Sequence, residues 1–137
     1  ILYFLERIRV EWKKNSKEIA EFQSIRYFFE KIEVLKSKKL INTEKSFLNF
    51  RFRLHPSEKK QKYFSFLKNF VMYGDIEISK SKSLEEDLAW GDYAFGIDTQ
   101  ALVAAMECGI KSFVTKPKWA GRSLLPHKNL IHLSDIN

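Results

Sequence analysis

The sequence predicts an α/β protein in three layers (α/β/α), built on a mostly parallel sheet of about six strands. Three observations predict it. Short apolar runs alternate along the whole chain with segments whose apolar residues recur every three or four positions. Helix punctuation falls between the runs: Ser83 with Glu86 three residues on, Thr99 ahead of an apolar stretch, and Gly109 behind it. Alternation of this kind implies a parallel sheet covered by helices on both faces, and right-handed crossovers then fix most of the topology. The result is a Rossmann-like order, β-α-β-α-β-α-β-α-β-β.

Each element has its own signal. Ile1–Ile8 is an apolar run fit for a buried strand, followed by a loop through Trp12, Lys13 and Lys14. Asn15 or Ser16 caps the first helix, with Glu18 as capping-box partner of Asn15. Ile19, Phe22, Ile25, Phe29 and Ile32 give that helix one apolar face, and it runs to about Lys38 or Leu40. Phe47–Leu54 is the second strand. Ser57–Phe70 is the second helix, with Tyr63, Phe66, Leu67 and Phe70 on one face. Ile76–Ile78 is a third strand, and Ser83 caps a short helix that turns Leu84 and Leu88 inward. Asp92–Ile97 is the fourth strand, Thr99 to Cys108 a helix, Lys111–Thr115 the fifth strand, and Leu130–Leu133 the sixth.

A chain of 137 residues with 45% hydrophobic content and twelve Phe is one domain with a real core, and not a disordered segment. No apolar run approaches the ~20 residues that span a bilayer. One cysteine, Cys108, excludes a disulfide framework and a cysteine-based metal cluster, so a reducing, cytoplasmic setting is expected. The chain begins with Ile1 rather than Met, and its first run already reads as a strand, which predicts a domain cut from a longer protein. Residues 1–70 carry 17 Lys and Arg against 8 acidic residues, and residues 71–137 carry 7 against 9. A basic half attracts phosphates, nucleic acid or an anionic membrane surface.

In an open parallel sheet, ligands sit outside the carboxyl ends of the strands. Arg7, His55, Ser79 to Ser83, Gly96 to Thr99, and Lys116 with Pro117 are expected there. The run Arg53-Leu54-His55-Pro56-Ser57-Glu58 places an imidazole at a strand end. Proline is tolerated in the first turn of a helix, so His55, Pro56 and Ser57 form a candidate phosphate grip. A second candidate is Gly96-Ile97-Asp98-Thr99-Gln100-Ala101, where Thr99 starts a helix and the amides of Gln100 and Ala101 face a ligand. Neither a dinucleotide fingerprint nor a P-loop is present. His127 and His132 lack acidic or cysteine neighbours in ligand spacing, so no metal is expected. Cys108 reads as a buried helix-end residue. Phe22, Phe28, Phe29, Phe64 and Phe66 read as core.

Taken together, the strand ending in HPSE, the stretch SLEEDLAWGDYAFGIDTQAL and the stretch AMECGIKSF resemble the donor-binding domain of GT-B glycosyltransferases. They are most similar to bacterial surface-polysaccharide transferases, including sialyltransferase-like enzymes with an HP motif. The resemblance covers Ile1 to Leu133. It implies a nucleotide-sugar donor whose phosphate is held by His55 and by Thr99 with the amides after it. It also implies nucleotide or sugar contacts from Arg7, Arg53, Glu58, Ser83, Glu85, Glu86 and Lys116. No metal or other cofactor is implied. The resemblance implies that residues 1–137 are the carboxy-terminal half of a larger two-domain protein, with acceptor and catalytic base on an amino-terminal domain, so that this piece alone turns over nothing. The location implied is the cytoplasm or the inner face of the cell membrane. The sequence departs from the family at Ala104, where a ribose-binding Glu is usual, and at Lys111. Two alternatives stand beside this reading: a basic module binding nucleic acid or an anionic surface, and a non-catalytic or epimerase-like relative of the same fold.

Overall fold

The computed structural model describes residues 1–8, 12, 17–42 and 48–137. Six strands form one all-parallel sheet: β1 (Leu2–Phe4), β2 (Leu48–Arg53), β3 (Gly74–Ile78), β4 (Tyr93–Gly96), β5 (Lys111–Val114) and β6 (Ile131–His132). Their spatial order is β3-β2-β1-β4-β5-β6. Four helices join them: α1 (Ala20–Ser37), α2 (Gln61–Leu67), α3 (Leu84–Trp90) and α4 (Gln100–Glu107). The expected Rossmann-like α/β architecture is therefore present. The chain reverses its direction of travel between β1 and β4, which is where this topology opens a crevice at the carboxyl edge.

Register builds the core. Tyr3 lies beside Phe52 and Phe95, Phe52 beside Ile78, Phe95 beside Phe113, and Phe113 beside Ile131. One row of large apolar side chains thus crosses all six strands on one face. Phe28 of α1 sits on its middle, with ring centroids 5.0 Å from Tyr3 and 4.7 Å from Phe95. Ile25, Phe29, Ile32 and Leu35 of α1, and Tyr63, Phe66 and Leu67 of α2, complete this layer. Leu2, Phe4, Ala94 and Val114 line the opposite face, under Leu102, Val103 and Ala105 of α4. Leu84 and Leu88 of α3 pack there too, as the sequence predicts.

β2 alternates differently from its neighbours. Phe50 and Phe52 enter the aromatic layer, whereas Arg51 and Arg53 lie level with Leu2 and Phe4 and face α3. Asp87 of α3, fully buried, meets both guanidinium groups, at 3.3 Å from Arg51 and 2.8 Å from Arg53. The Ser79 hydroxyl donates to the same carboxylate at 2.7 and 2.9 Å. Burial alone would raise the pKa of Asp87. The bonds from Ser79, Arg53 and Ser81 outweigh it and hold the group below the usual aspartate range. Arg51 also stacks 4.1 Å from the centre of the Trp90 ring.

Several boundaries differ from expectation. β1 pairs only over Leu2–Phe4. Past it, the Leu5 amide still reaches the Arg53 carbonyl at 2.9 Å, and Leu5 stays in the core, which is why the apolar run outlasts the strand. α1 starts at Ala20 with Ile19 at its N-cap and no side-chain cap; Asn15, Ser16 and Phe47 lie outside the described residues. α2 starts at Gln61, not Ser57, and tightens after Leu67 into a 3₁₀ segment, Lys68–Tyr73. Gly74 then enters β3 at φ 150°, where a Cβ would overlap the Leu48 carbonyl oxygen. Gly109 ends α4 at φ 84° as expected. Cys108 is exposed, because it caps α4 on the outside rather than facing the sheet. Phe64 is half exposed on the outer side of α2, so the core reading holds for Phe22, Phe28, Phe29 and Phe66 only.

Two substitutions test this account by urea denaturation. Phe28→Ala is expected to cost about 3–5 kcal/mol. Asp87→Ala is expected to cost about 3 kcal/mol, because it strands the half-buried Arg53 and leaves Arg51 with Glu77 as its only ion-pair partner among the described residues. The ionised form of Asp87 is the bonded one. Its contribution is therefore full above the ordinary aspartate range and is lost as pH falls through the lowered folded value. A loss below about 1 kcal/mol for Asp87→Ala would show that the network is not structural.

Candidate functional site

The crevice at the β1–β4 reversal is lined by Glu6, Arg7, His55, Ser57 and Thr99, around about 390 Å³ of open space. These residues come from three strand ends. Glu6 and Arg7 follow β1, His55 and Ser57 follow β2, and Thr99 follows β4. A second cleft of about 260 Å³ lies between β2 and β3. Arg53, His55, Glu58, Ser79, Ser81 and Lys82 are among its lining residues, so His55 borders both.

The HPSE segment closes on itself. The Glu58 amide donates to the His55 carbonyl at 2.9 Å. His55 Nδ1 lies 3.2 Å from the Ser57 amide, which donates to it, and 2.7 Å from the Ser57 hydroxyl. This compact turn replaces the expected helix start, so Pro56 and Ser57 offer no free helix amides. It does fix the imidazole: with Nδ1 engaged, Nε2 is the nitrogen left for a ligand. Glu58, with its side chain only 8% exposed, is tied to Lys62 at 2.9 Å. Lys62 also approaches the buried Glu21 at 3.7 Å.

Thr99 caps α4, its hydroxyl accepting the Ala101 amide at 3.2 Å. That amide is thus engaged within the cap, contrary to the expectation of a free donor. Gln100 is exposed at the helix start. Gly96 lies inside β4, where its carbonyl accepts the Thr115 amide at 2.8 Å. Asp98 does not face a ligand. Its carboxylate accepts the Ser123 hydroxyl and the Leu124 amide, each at 2.7 Å, and approaches Lys116 at 3.7 Å. Asp98 and Lys116 therefore fasten the loop after β5. Arg7 is exposed, with no hydrogen-bond or ion-pair partner among the described residues.

The remaining expected contacts scatter. Arg53 donates to the carbonyls of Ser81 and Ser83 at 3.2 and 3.3 Å and holds the β3–α3 loop. The Ser83 hydroxyl caps α3 through the Glu86 amide. Glu85 is exposed, and Glu86 borders a separate hollow with Arg51, Glu77 and Lys80. Among the described residues no group of three His, Cys, Asp or Glu side chains is placed to hold a metal ion, and no helix is long and apolar enough to cross a membrane.

No family model, curated protein or solved structure matches this chain. The site's chemistry rests on its residues alone.

Sequence reading did not single out Glu6. Its Oε1 accepts the Asp98 amide at 2.6 Å. Burial raises its pKa above the usual glutamate range. The Asp98 and Ile97 amides and Lys116 act in the opposite sense, and the Asp98 charge adds to the rise. The available signal was its place as the first charged residue after an apolar strand.

A folded carboxyl group that binds its proton more tightly than the unfolded one loses stability as pH rises. Glu6→Gln keeps an acceptor for the Asp98 amide and removes the charge. The variant is expected to gain on the wild type in thermal denaturation as pH climbs from the ordinary glutamate range to neutrality, and to match it in more acidic buffer. A wild type that gains on the variant with rising pH would reverse the assignment.

Proposed function

We propose that this chain is the donor-binding domain of a GT-B-type glycosyltransferase of bacterial surface-polysaccharide synthesis, of the sialyltransferase-like group with an HP motif. Its ligand is a nucleotide sugar. Its task is to hold the phosphate of the nucleoside phosphate leaving group as the anomeric bond breaks. The acceptor, the base and the catalytic step belong to a second, amino-terminal domain of the full-length enzyme.

One observation carries the reading. His55, Arg7 and Thr99 come from three separate strand ends and line a single crevice at the β1–β4 reversal. An imidazole, a guanidinium with no partner among the described residues and a hydroxyl at a helix start are donors suited to an oxyanion. Such donors stabilise a leaving group on which negative charge develops. The adjoining cleft between β2 and β3, with Arg53 and Lys82, leaves room for the rest of the nucleotide. No metal or cofactor enters this reading.

A specific surface favours membrane association as well. Phe64, Val71 and Met72 are 50%, 61% and 74% exposed along α2 and its 3₁₀ extension, and Lys60 and Lys68 stand one turn either side of Phe64. An apolar ridge bracketed by lysines suits the interface of an anionic bilayer.

Two measurements test these readings. In an amide NMR titration with millimolar nucleoside mono- and diphosphates, the signals of Arg7, His55 and Thr99 are expected to move together. Combining His55→Ala with Arg7→Ala is expected to weaken binding at least tenfold, as befits two charge-assisted bonds. Unmoved signals at these three positions would remove the proposal. Sedimentation with anionic vesicles is expected to carry down the wild type and to lose most of it on Phe64→Ser with Val71→Ser. A wild type that stays in solution with anionic vesicles, or a double variant that sediments as fully as the wild type, would exclude the membrane role.

A further inference from the structure

The crevice holds one group that a phosphate site does not need, the carboxylate of Glu6. It lines the same space as Arg7, His55 and Thr99. Oε1 is bonded to the Asp98 amide, and the Ile97 amide also bears on the carboxylate. Oε2 makes no ion pair among the described residues: Lys116 stands closer to Asp98, at 3.7 Å, and Arg7 has no partner there. The charged and titratable groups facing Glu6 from its surroundings are Arg7 on its own strand end, His55 after β2, Asp98 after β4 and Lys116 after β5.

A carboxylate oxygen repels a phosphate oxygen and attracts a donor. A ligand seated by its phosphate against Arg7, His55 and Thr99 therefore gains from Glu6 only by presenting a hydroxyl to it. We propose that Glu6 is the hydroxyl-binding residue of the crevice, and that the ligand class is a sugar phosphoester: phosphate on the Arg7–His55–Thr99 side and a sugar hydroxyl on Glu6 Oε2. The inference rests on the phosphate reading given above and narrows it. The crevice discriminates against bare phosphate, and a sugar hydroxyl close to the phosphate completes the site. Were Glu6 only a pin for the turn at Ile97 and Asp98, its replacement would change all anions alike.

The test compares inorganic phosphate with D-ribose 5-phosphate, by calorimetry or amide NMR titration, on the wild type, Glu6→Gln and Glu6→Asp. Glu6→Gln keeps the bond to the Asp98 amide and removes the charge. Glu6→Asp keeps the charge, shortens the reach and serves if the first variant unfolds. The ratio of the two affinities is the readout, because general repulsion and any change of the fold cancel in it. The wild type is expected to prefer ribose 5-phosphate, and either variant to lower that preference about tenfold, the loss of one charge-assisted hydrogen bond. Glu6→Gln is also expected to bind inorganic phosphate at least as well as the wild type. An unchanged ratio, with both probes bound, overturns the inference and leaves the phosphate reading standing. Failure of the wild type to bind either probe overturns both.

Discussion

The buried hydroxyl of Tyr3 is the contact on which the rest of this structure depends. β1 is only three residues long and lies at the centre of the sheet. Tyr3 is its middle residue. The ring fills the aromatic row, and the hydroxyl meets Ser24 of α1 at 2.7 Å and Thr115 after β5 at 3.0 Å. The Thr115 hydroxyl in turn reaches the Gly96 carbonyl at 3.3 Å. One phenol thus ties the central strand to the helix above it and to the strand ends on the far side of the crevice. Burial pushes the pKa of that phenol well above its ordinary value, against the bonds from Ser24 and Thr115, so it stays a neutral donor and acceptor. Because the tie is buried and fully partnered, it holds the ends of β1 and β4 at a fixed spacing, and Glu6, Arg7 and Thr99 inherit that spacing.

A second constraint works on the other half of the carboxyl edge. Arg51 and Arg53 are charges on the inner face of an interior strand, an arrangement that costs free energy unless an acid meets them. Asp87 supplies it from α3, and Ser79 and the carbonyls of Ser81 and Ser83 complete the coordination. The consequence is local order in the β3–α3 loop. The wall of the cleft beside His55 is therefore held from beneath by a charge network rather than by apolar packing.

The sequence revealed the layers well and the site in part. Element order and the α/β class followed from period changes, because strands with large apolar residues and helices with one apolar face leave separate patterns. The start of α2 was misread because a proline two residues into a turn and a proline in a helix's first turn look alike. The His55 side chain, which captures the Ser57 amide, decides between them and leaves no periodic trace. Thr99 was readable as a cap, but its engagement with Ala101 was not. Asp87 lay in plain view among Glu85, Glu86 and Leu88. Only the pairing of Leu2 with Arg51 and Phe4 with Arg53, a contact far apart in sequence, shows that this acid alone must face inward. Glu6 was hidden for the same reason: its partner is ninety-two residues away.

What the fold delivers is three kinds of donor around one crevice and an acid beside them, positioned by strands that cannot shift independently. That combination is the core of the account, and its most direct test is a crystal structure of the chain grown with a nucleotide sugar or the matching nucleoside phosphate. The account predicts phosphate oxygens within about 2.7–3.2 Å of His55 Nε2 and the Thr99 hydroxyl, with the Arg7 guanidinium turned toward them. A nucleotide seated elsewhere, with the β1–β4 crevice holding only solvent, would contradict it.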